Sequence, residues 1–149
     1  MNLNRDLPLL LLAWTVLILG IQIRDCYCSV TKEQMEKTAK MFRQVCQPKH
    51  KMSDAILEAA KDGIFPQTKE FKCYVNCLFD MMQATRKGKV NYEKSLKQID
   101  QLLPDYMKND YRKGLDICKD SAQGIKDHCE SAYAYLICFY NNNPHFMFP

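Results

Sequence analysis

Glycine is scarce in this chain, with 5 among 149 residues. So few glycines leave little provision for the tight reverse turns that strand-rich domains use. Consistently, no convincing run of alternating apolar and polar residues is present. Charge of one sign is not concentrated either. Lys and Arg total 21 against 17 Asp and Glu, a net +4 with no long block of either sign, which argues against a nucleic-acid partner. There is no internal repeat and no low-complexity tract. A Gly-x-Ser-x-Gly elbow and a glycine-rich phosphate loop are both missing. The three histidines, His50, His128 and His145, fall in a loop, at a helix start and in the tail. Asp100, Asp105 and Asp116 fall near expected helix ends or among lysines, where capping or solvation explains a carboxylate. No catalytic residue is assigned, no metal or cofactor is called for, and the chain does not read as an enzyme.

Long hydrophobic runs are also lacking, with one exception. "LPLLLLAWTVLILGI", residues 7 to 21, follows a start carrying Arg5. It is too short to span a bilayer comfortably and fits the apolar stretch of a secretory leader. Cys26 and Cys28 occupy the two positions a signal peptidase reads, so cleavage is expected before Ser29. The alternative, an uncleaved anchor, is disfavoured by the run's length. The expected organisation is a leader over 1–28 and one domain over 29–149, secreted and with no membrane span.

What remains is helical nearly throughout. Thr31 and Gln34 form a capping box, and Met35, Ala39, Phe42 and Cys46 follow at helical spacing. Pro48 is expected to end this helix. Ser53 caps a second helix, stopped by Gly63 and Pro66. Thr68 opens a third that runs to about Thr85. Asn91 caps a fourth with Tyr92, Leu96, Ile99 and Leu103 on one side, closed by Pro104. A fifth starts at Asp105 and carries Met107, Tyr111, Leu115 and Cys118. The sixth runs from about Lys126 to Phe139, with Cys129, Tyr133, Leu136 and Ile137 inward, before a non-helical tail. The fold class is all-α, with six helices.

Removal of the leader turns eight cysteines into six: Cys46, Cys73, Cys77, Cys118, Cys129 and Cys138. An even number in a secreted chain reads as a disulfide framework. Cys73 and Cys77 share one helix face. Side chains at i and i+4 run parallel, so these two do not point at each other as a disulfide requires, and each should reach a different partner. A zinc site from Cys73, Cys77, His128 and Cys129 would strand Cys46, Cys118 and Cys138 as thiols in an oxidising compartment. A redox pair usually has two intervening residues rather than three. Six cysteines allow 15 connectivities, among which spacing alone does not choose.

The intervals between the six are 26, 3, 40, 10 and 8 residues. This pattern resembles the six-cysteine signature of insect odorant-binding proteins of the pheromone- and general-odorant-binding family. "CYVNC", "LLPDYM" and the closing "FMFP" resemble its alcohol- and indole-binding branch in flies and mosquitoes. The resemblance implies the pairing Cys46–Cys77, Cys73–Cys129 and Cys118–Cys138, and six helices around one apolar cavity. It also implies a small hydrophobic volatile ligand, carried through sensory lymph towards an olfactory receptor, with a homodimer as a further partner the family allows. Rival roles are carriage of amines or lipids in saliva or haemolymph, and a disulfide-rich helical hydrolase, for which "CYVNC" supplies no histidine.

Aligned on its cysteines and prolines, the family pocket maps onto Thr38, Phe42, Phe79, Met82, Val90, Leu102, Phe139 and Phe148. Phe79 and Ala84 stand where the alcohol-binding branch has short hydroxyl residues, which implies a larger, mostly apolar ligand. Thr38, Thr85 or a tyrosine is then left to supply a hydroxyl. "HFMFP" is expected to fold back over the cavity, since three exposed apolar residues would cost solubility. From Phe139 to Pro149 there is no Asp or Glu. His145 is therefore expected to be the pH switch: neutral against apolar surface, and driving the tail into water once charged.

Overall fold

The structure is a computed structural model and describes Trp14 and residues 30–149. The expected leader lies, Trp14 apart, outside the described residues. Among those residues there are six helices: α1 Lys32–His50, α2 Asp54–Lys61, α3 Lys69–Met81, α4 Tyr92–Leu102, α5 Asp105–Cys118 and α6 His128–Asn142. Two short strands, β1 Thr85–Arg86 and β2 Lys89–Val90, interrupt the series.

The starts follow side-chain chemistry. Thr31 caps α1 in a reciprocal box with Gln34, at 3.2 and 2.8 Å. Ser53, Thr68 and Asp127 each accept from the amide three residues on, satisfying one of the free donors of a first turn. Asn91 precedes α4 but makes no such bond.

Three ends differ from the sequence expectation, α6 running on to Asn142 rather than stopping at Phe139. Helix α1 passes through Pro48 to His50. Pro48 and Gln44 face solvent, so the carbonyl that loses its donor is open to water, and the break comes one turn later. Lys51 there turns left-handed at φ 52°, and the Met52 amide donates back to the Gln47 carbonyl at 3.2 Å. Helix α3 stops at Met81 rather than Thr85. Gln83 takes φ 57°, and the Ala84 amide closes on the Phe79 carbonyl at 2.9 Å. Both are Schellman stops made by a residue other than glycine. The four residues released from α3 start a hairpin with Thr85 opposite Val90 and Arg86 opposite Lys89. Its turn residues, Lys87 and Gly88, both have positive φ, 51° and 72°, as a mirror-image two-residue turn requires.

Helix α3 is central, packed between α1 and α6, and α5 leans on α4 and α6. Phe71, Tyr74, Val75 and Leu78 form its buried face, and each buried apolar side chain of this size stabilises by roughly 1.5–3 kcal/mol. On α6 the buried set is Ser131, Ala132, Tyr135, Leu136 and Phe139. Tyr133 and Ile137, expected inward, are only half-buried. Gly114 lets α5 approach α6, since a Cβ there would lie 3.2 Å from the Phe139 ring.

The sulfurs of Cys46–Cys77, Cys73–Cys129 and Cys118–Cys138 are at bonding distance, 2.02, 2.05 and 1.94 Å. As the parallel side chains of Cys73 and Cys77 demand, α3 is tied to two partners, α1 and α6. The third bridge ties α5 to α6.

Candidate functional site

The interior between α3, α6 and the tail is aromatic. Phe79 meets Tyr135 edge-on at 5.3 Å, and Tyr135 lies 5.5 Å from Phe139. Tyr111 of α5 and Phe146 of the tail close on Phe139 at 5.5 and 5.9 Å. A second group forms around Phe148, which lies 5.7 Å from Phe65, 5.9 Å from Phe71 and 6.3 Å from Tyr74. Edge-to-face and offset contacts of this kind stabilise beyond area burial alone.

Of the eight residues expected to line a pocket, Phe79, Phe139 and Phe148 belong to this buried cluster, and Phe42, Met82 and Val90 pack against it half-buried. Thr38 and Leu102 do not join them. Thr38 is exposed, and its hydroxyl donates to the Gln34 carbonyl of its own helix at 2.9 Å. Leu102 ends α4 with 46% of its surface exposed. Of the hydroxyls left to hold a ligand, Thr85 is buried but already donates to Asp80 at 3.1 Å.

Sequence reasoning left the tyrosines without direction. Tyr74 and Tyr135 are buried, and burial raises both phenols, Tyr74 to about 12 against the opposing pull of Arg43. Burial likewise raises Tyr111, whose hydroxyl donates to the His145 carbonyl at 3.3 Å. All three are therefore neutral donors at any physiological pH. Apolar helix faces are visible in the sequence, but nothing in it separates a tyrosine that lines a pocket from one that packs a core.

The tail folds back. The Asn143 carboxamide accepts from the His145 amide at 3.0 Å, and the Phe146 amide returns to the Asn143 carbonyl. His145 does not lie against apolar surface as expected. It is exposed, with Nδ1 2.7 Å from Asp110 Oδ2 and its ring edge-on to Tyr106 at 5.7 Å. A carboxylate from α5 thus faces it where the tail itself has none.

All six cysteines of the domain are consumed in bridges, which removes Cys73, Cys77 and Cys129 as thiolate ligands. Among the described residues no three His, Cys, Asp or Glu side chains gather as a metal site, and no helix is long and apolar enough to cross a membrane. A shallow depression of about 410 Å³ beside the hairpin, lined by Asp80, Arg86 and Lys87 among others, is polar and ill-suited to an apolar ligand.

The model of the PBP/GOBP family matches residues 28–142. The chain is 65% identical over 121 residues to general odorant-binding protein 72 of Anopheles gambiae, covering 81% of this chain and all of that one. It is 43% identical over 143 residues to general odorant-binding protein 19a of Drosophila melanogaster, covering 94% and 97%. Among solved structures, odorant-binding protein 4 of the predator Chrysopa pallens superposes with a TM-score of 0.73 at 32% identity, covering 80% of this chain and 99% of that one.

Proposed function

The chain belongs to the PBP/GOBP family, and on that premise we propose that it is a secreted carrier of small hydrophobic odorants. It takes up a volatile into its interior, shields it from water and releases it near an olfactory receptor in the sensory lymph. The observation that carries this reading is the aromatic interior: rings from α3, α5, α6 and the tail converge there, inside a shell stapled by three disulfides. Carriage requires no bond to be broken, and the named relatives are binding proteins, so the function needs no catalyst.

Phe42, Phe79, Met82, Val90, Phe139 and Phe148 are the residues proposed to line the ligand space. Phe79 and Ala84 leave no short hydroxyl at the start of that space, so medium-sized aromatic or long-chain volatiles are favoured over ethanol-sized alcohols. Burial of an eight-to-twelve-carbon body gains roughly 0.8 kcal/mol per CH₂ before association costs, enough for micromolar affinity. The proposed domain begins at Ser29. The 121 residues matched to the mosquito relative equal the length left when the first 28 of 149 are removed.

The test is displacement of an apolar fluorescent probe from the secreted protein. Micromolar probe binding, reversed by indole-sized or long-chain compounds and poorly by butanol, is the expected result. Strong competition by ethanol or butanol alone would overturn the ligand class. An intact mass beginning at a residue well away from Ser29 would overturn the domain start.

A further inference from the structure

The hairpin between α3 and α4 carries Arg86, Lys87 and Lys89 in the run "RKGK". Thr85 is buried and Val90 packs half-buried against the core. Side chains alternate along a strand, so Arg86 and Lys89 project together from the outer face. Both are exposed, as is Lys87 at the turn. Arg86 stands directly opposite Lys89 in the register, which puts two like charges about 5 Å apart at their Cβ atoms.

Opposed like charges destabilise a hairpin, and no carboxylate of the chain offsets them here. None of the ion pairs among the described residues includes Arg86, Lys87 or Lys89. Asp80 shares the depression beside the hairpin with Arg86 and Lys87. Its carboxylate accepts from Asn76 at 3.3 Å and from Thr85 at 3.1 Å instead. Lys37, Lys40 and Lys49 are exposed without an ion pair too, but they are spread along α1. The three hairpin cations are concentrated and held in a fixed frame. Gly88 is buried at φ 72°, and a Cβ there would lie 2.9 Å from His128 Cδ2 and 3.2 Å from His128 Cα. The turn is thus seated on the start of α6.

We propose that this hairpin docks a sulfated polysaccharide, with sulfate groups bridging Arg86 and Lys89 and reaching Lys87. This rests on the secreted reading of the chain and adds a partner outside the ligand space. Charge complementarity selects a polyanion, since a short Lys- and Arg-rich run on one face is the footprint of such partners. An arginine fork holds an oxyanion through two parallel N–H donors, and a lysine adds a point charge. The depression of about 410 Å³ beside Arg86 and Lys87 has room for a sulfated sugar ring. Two other polyanions fit less well. A secreted protein is separated from nucleic acid and from the negatively charged membrane leaflet, which faces the cytoplasm. The hairpin also presents no exposed apolar side chain to enter a bilayer, which surface-bound segments use.

The experiment measures heparin binding to the secreted protein by calorimetry. Wild type is compared with Arg86→Gln/Lys87→Gln/Lys89→Gln and with Lys37→Gln/Lys40→Gln/Lys49→Gln, which removes the same charge from α1. Heparin stripped of its sulfates, which keeps its carboxylates, is the second ligand, and phosphatidylserine vesicles are the third. The hairpin variant is expected to bind heparin about tenfold less tightly than wild type, the effect of three exposed ion pairs together. The α1 variant should stay within about twofold, because charge outside the docked face is screened at about 150 mM salt. Loss of the sulfates should weaken wild type at least as much as loss of the hairpin cations. The hairpin variant should keep its affinity for an apolar fluorescent probe, and its melting temperature should hold or rise because opposed like charges are gone. No heparin binding by wild type, equal losses in the two variants, or equal binding of the desulfated chain overturns the proposal. Hairpin-dependent binding to the vesicles in place of heparin also overturns it and makes the partner a membrane. Each of these leaves the carrier reading standing, provided wild type binds the apolar probe. A wild type that docks heparin through the hairpin but binds no apolar probe overturns the carrier reading instead.

Discussion

Phe148, one residue from the C-terminus, stacks on Phe71 of α3 with ring centroids 5.9 Å apart and planes inclined by 17°. The last turn of the chain is thereby fastened to the helix that carries two of the three disulfides. Its neighbour Met147 is 38% exposed, so the two adjacent residues differ sharply in what they contribute. Phe148→Ala should lower stability by about 1–3 kcal/mol, below the usual range for a buried Phe because a chain end can fray independently. Met147→Ala should change it by less than about 0.5 kcal/mol. Chemical denaturation of both variants is the check. Equal midpoints for the two would show that the tail is not seated on Phe71.

The three disulfides close loops with sequence separations of 56, 31 and 20 for Cys73–Cys129, Cys46–Cys77 and Cys118–Cys138. Chain entropy alone gives contributions of about 4.2, 3.7 and 3.3 kcal/mol in that order. Paired Cys→Ser replacements should therefore destabilise most at Cys73–Cys129, which also ties α3 to its largest packing partner, and least at Cys118–Cys138. Unfolding midpoints of the three double variants test the order. A Cys118–Cys138 variant that unfolds first would show that strain or packing, rather than loop closure, sets the ranking. The unreduced wild type should take up no alkylating reagent.

Helix number, caps and the shared face of Cys73 and Cys77 were legible because each has a local cause: a Thr, Ser or Asp at a boundary, or a 3.6-residue period. The stops at Lys51 and Gln83 were not, because each uses a left-handed residue other than glycine, and only the surrounding packing selects that geometry. The hairpin at 85–90 was hidden for the same reason. Two residues per strand leave no alternation to detect, and Lys87-Gly88 is a weak turn signal beside Asn-Gly. For the site, the family resemblance pointed to Phe79, Phe139 and Phe148, the first two of which also stand on apolar helix faces. The position of Asp110 opposite His145 was beyond reach, since 35 residues separate them and only the docking of the tail on α5 brings them together.

Arg43 bridges α1 to α2 through Asp54 at 2.9 Å and Glu58 at 2.8 Å, with only 17% of its side chain exposed. The Asp54 carboxyl is held below its ordinary range first by the Gln47 amide and then by Arg43; the Glu58 carboxyl first by Lys61 and then by Arg43. Carboxylates lowered in the folded state add stability that is fully present above their unfolded values, near pH 4, and is lost as pH falls through the lower folded values. Arg43→Gln should therefore be less stable than wild type at pH 7, and the gap should shrink as pH falls below about 4. Melting temperatures across pH 7 to 2.5 measure this. A gap that stays constant through that range would show that the loss is one of packing by the arginine stem and not of charge.

Acid sensitivity should also appear at His50. Burial, and next the charge of Lys49, lower the pKa of His50. The unfolded chain takes up that proton near pH 6.5 before the folded one does, so stability falls as pH drops through and below 6.5 until the folded value is reached, and is fully present above it. His50→Gln should flatten this part of the profile. His145 is faced by Asp110 and Tyr106, with Tyr111 bonded to its carbonyl. The pair is partly exposed, with 41% and 34% of the two side chains accessible, so it holds the tail by about 0.5 kcal/mol, or roughly twofold. His145→Gln and Asp110→Asn should each bind an apolar probe about twofold less well than wild type, because each removes one half of the contact. Probe titrations of all three proteins make the comparison. Equal affinities would show that this contact does not hold the tail.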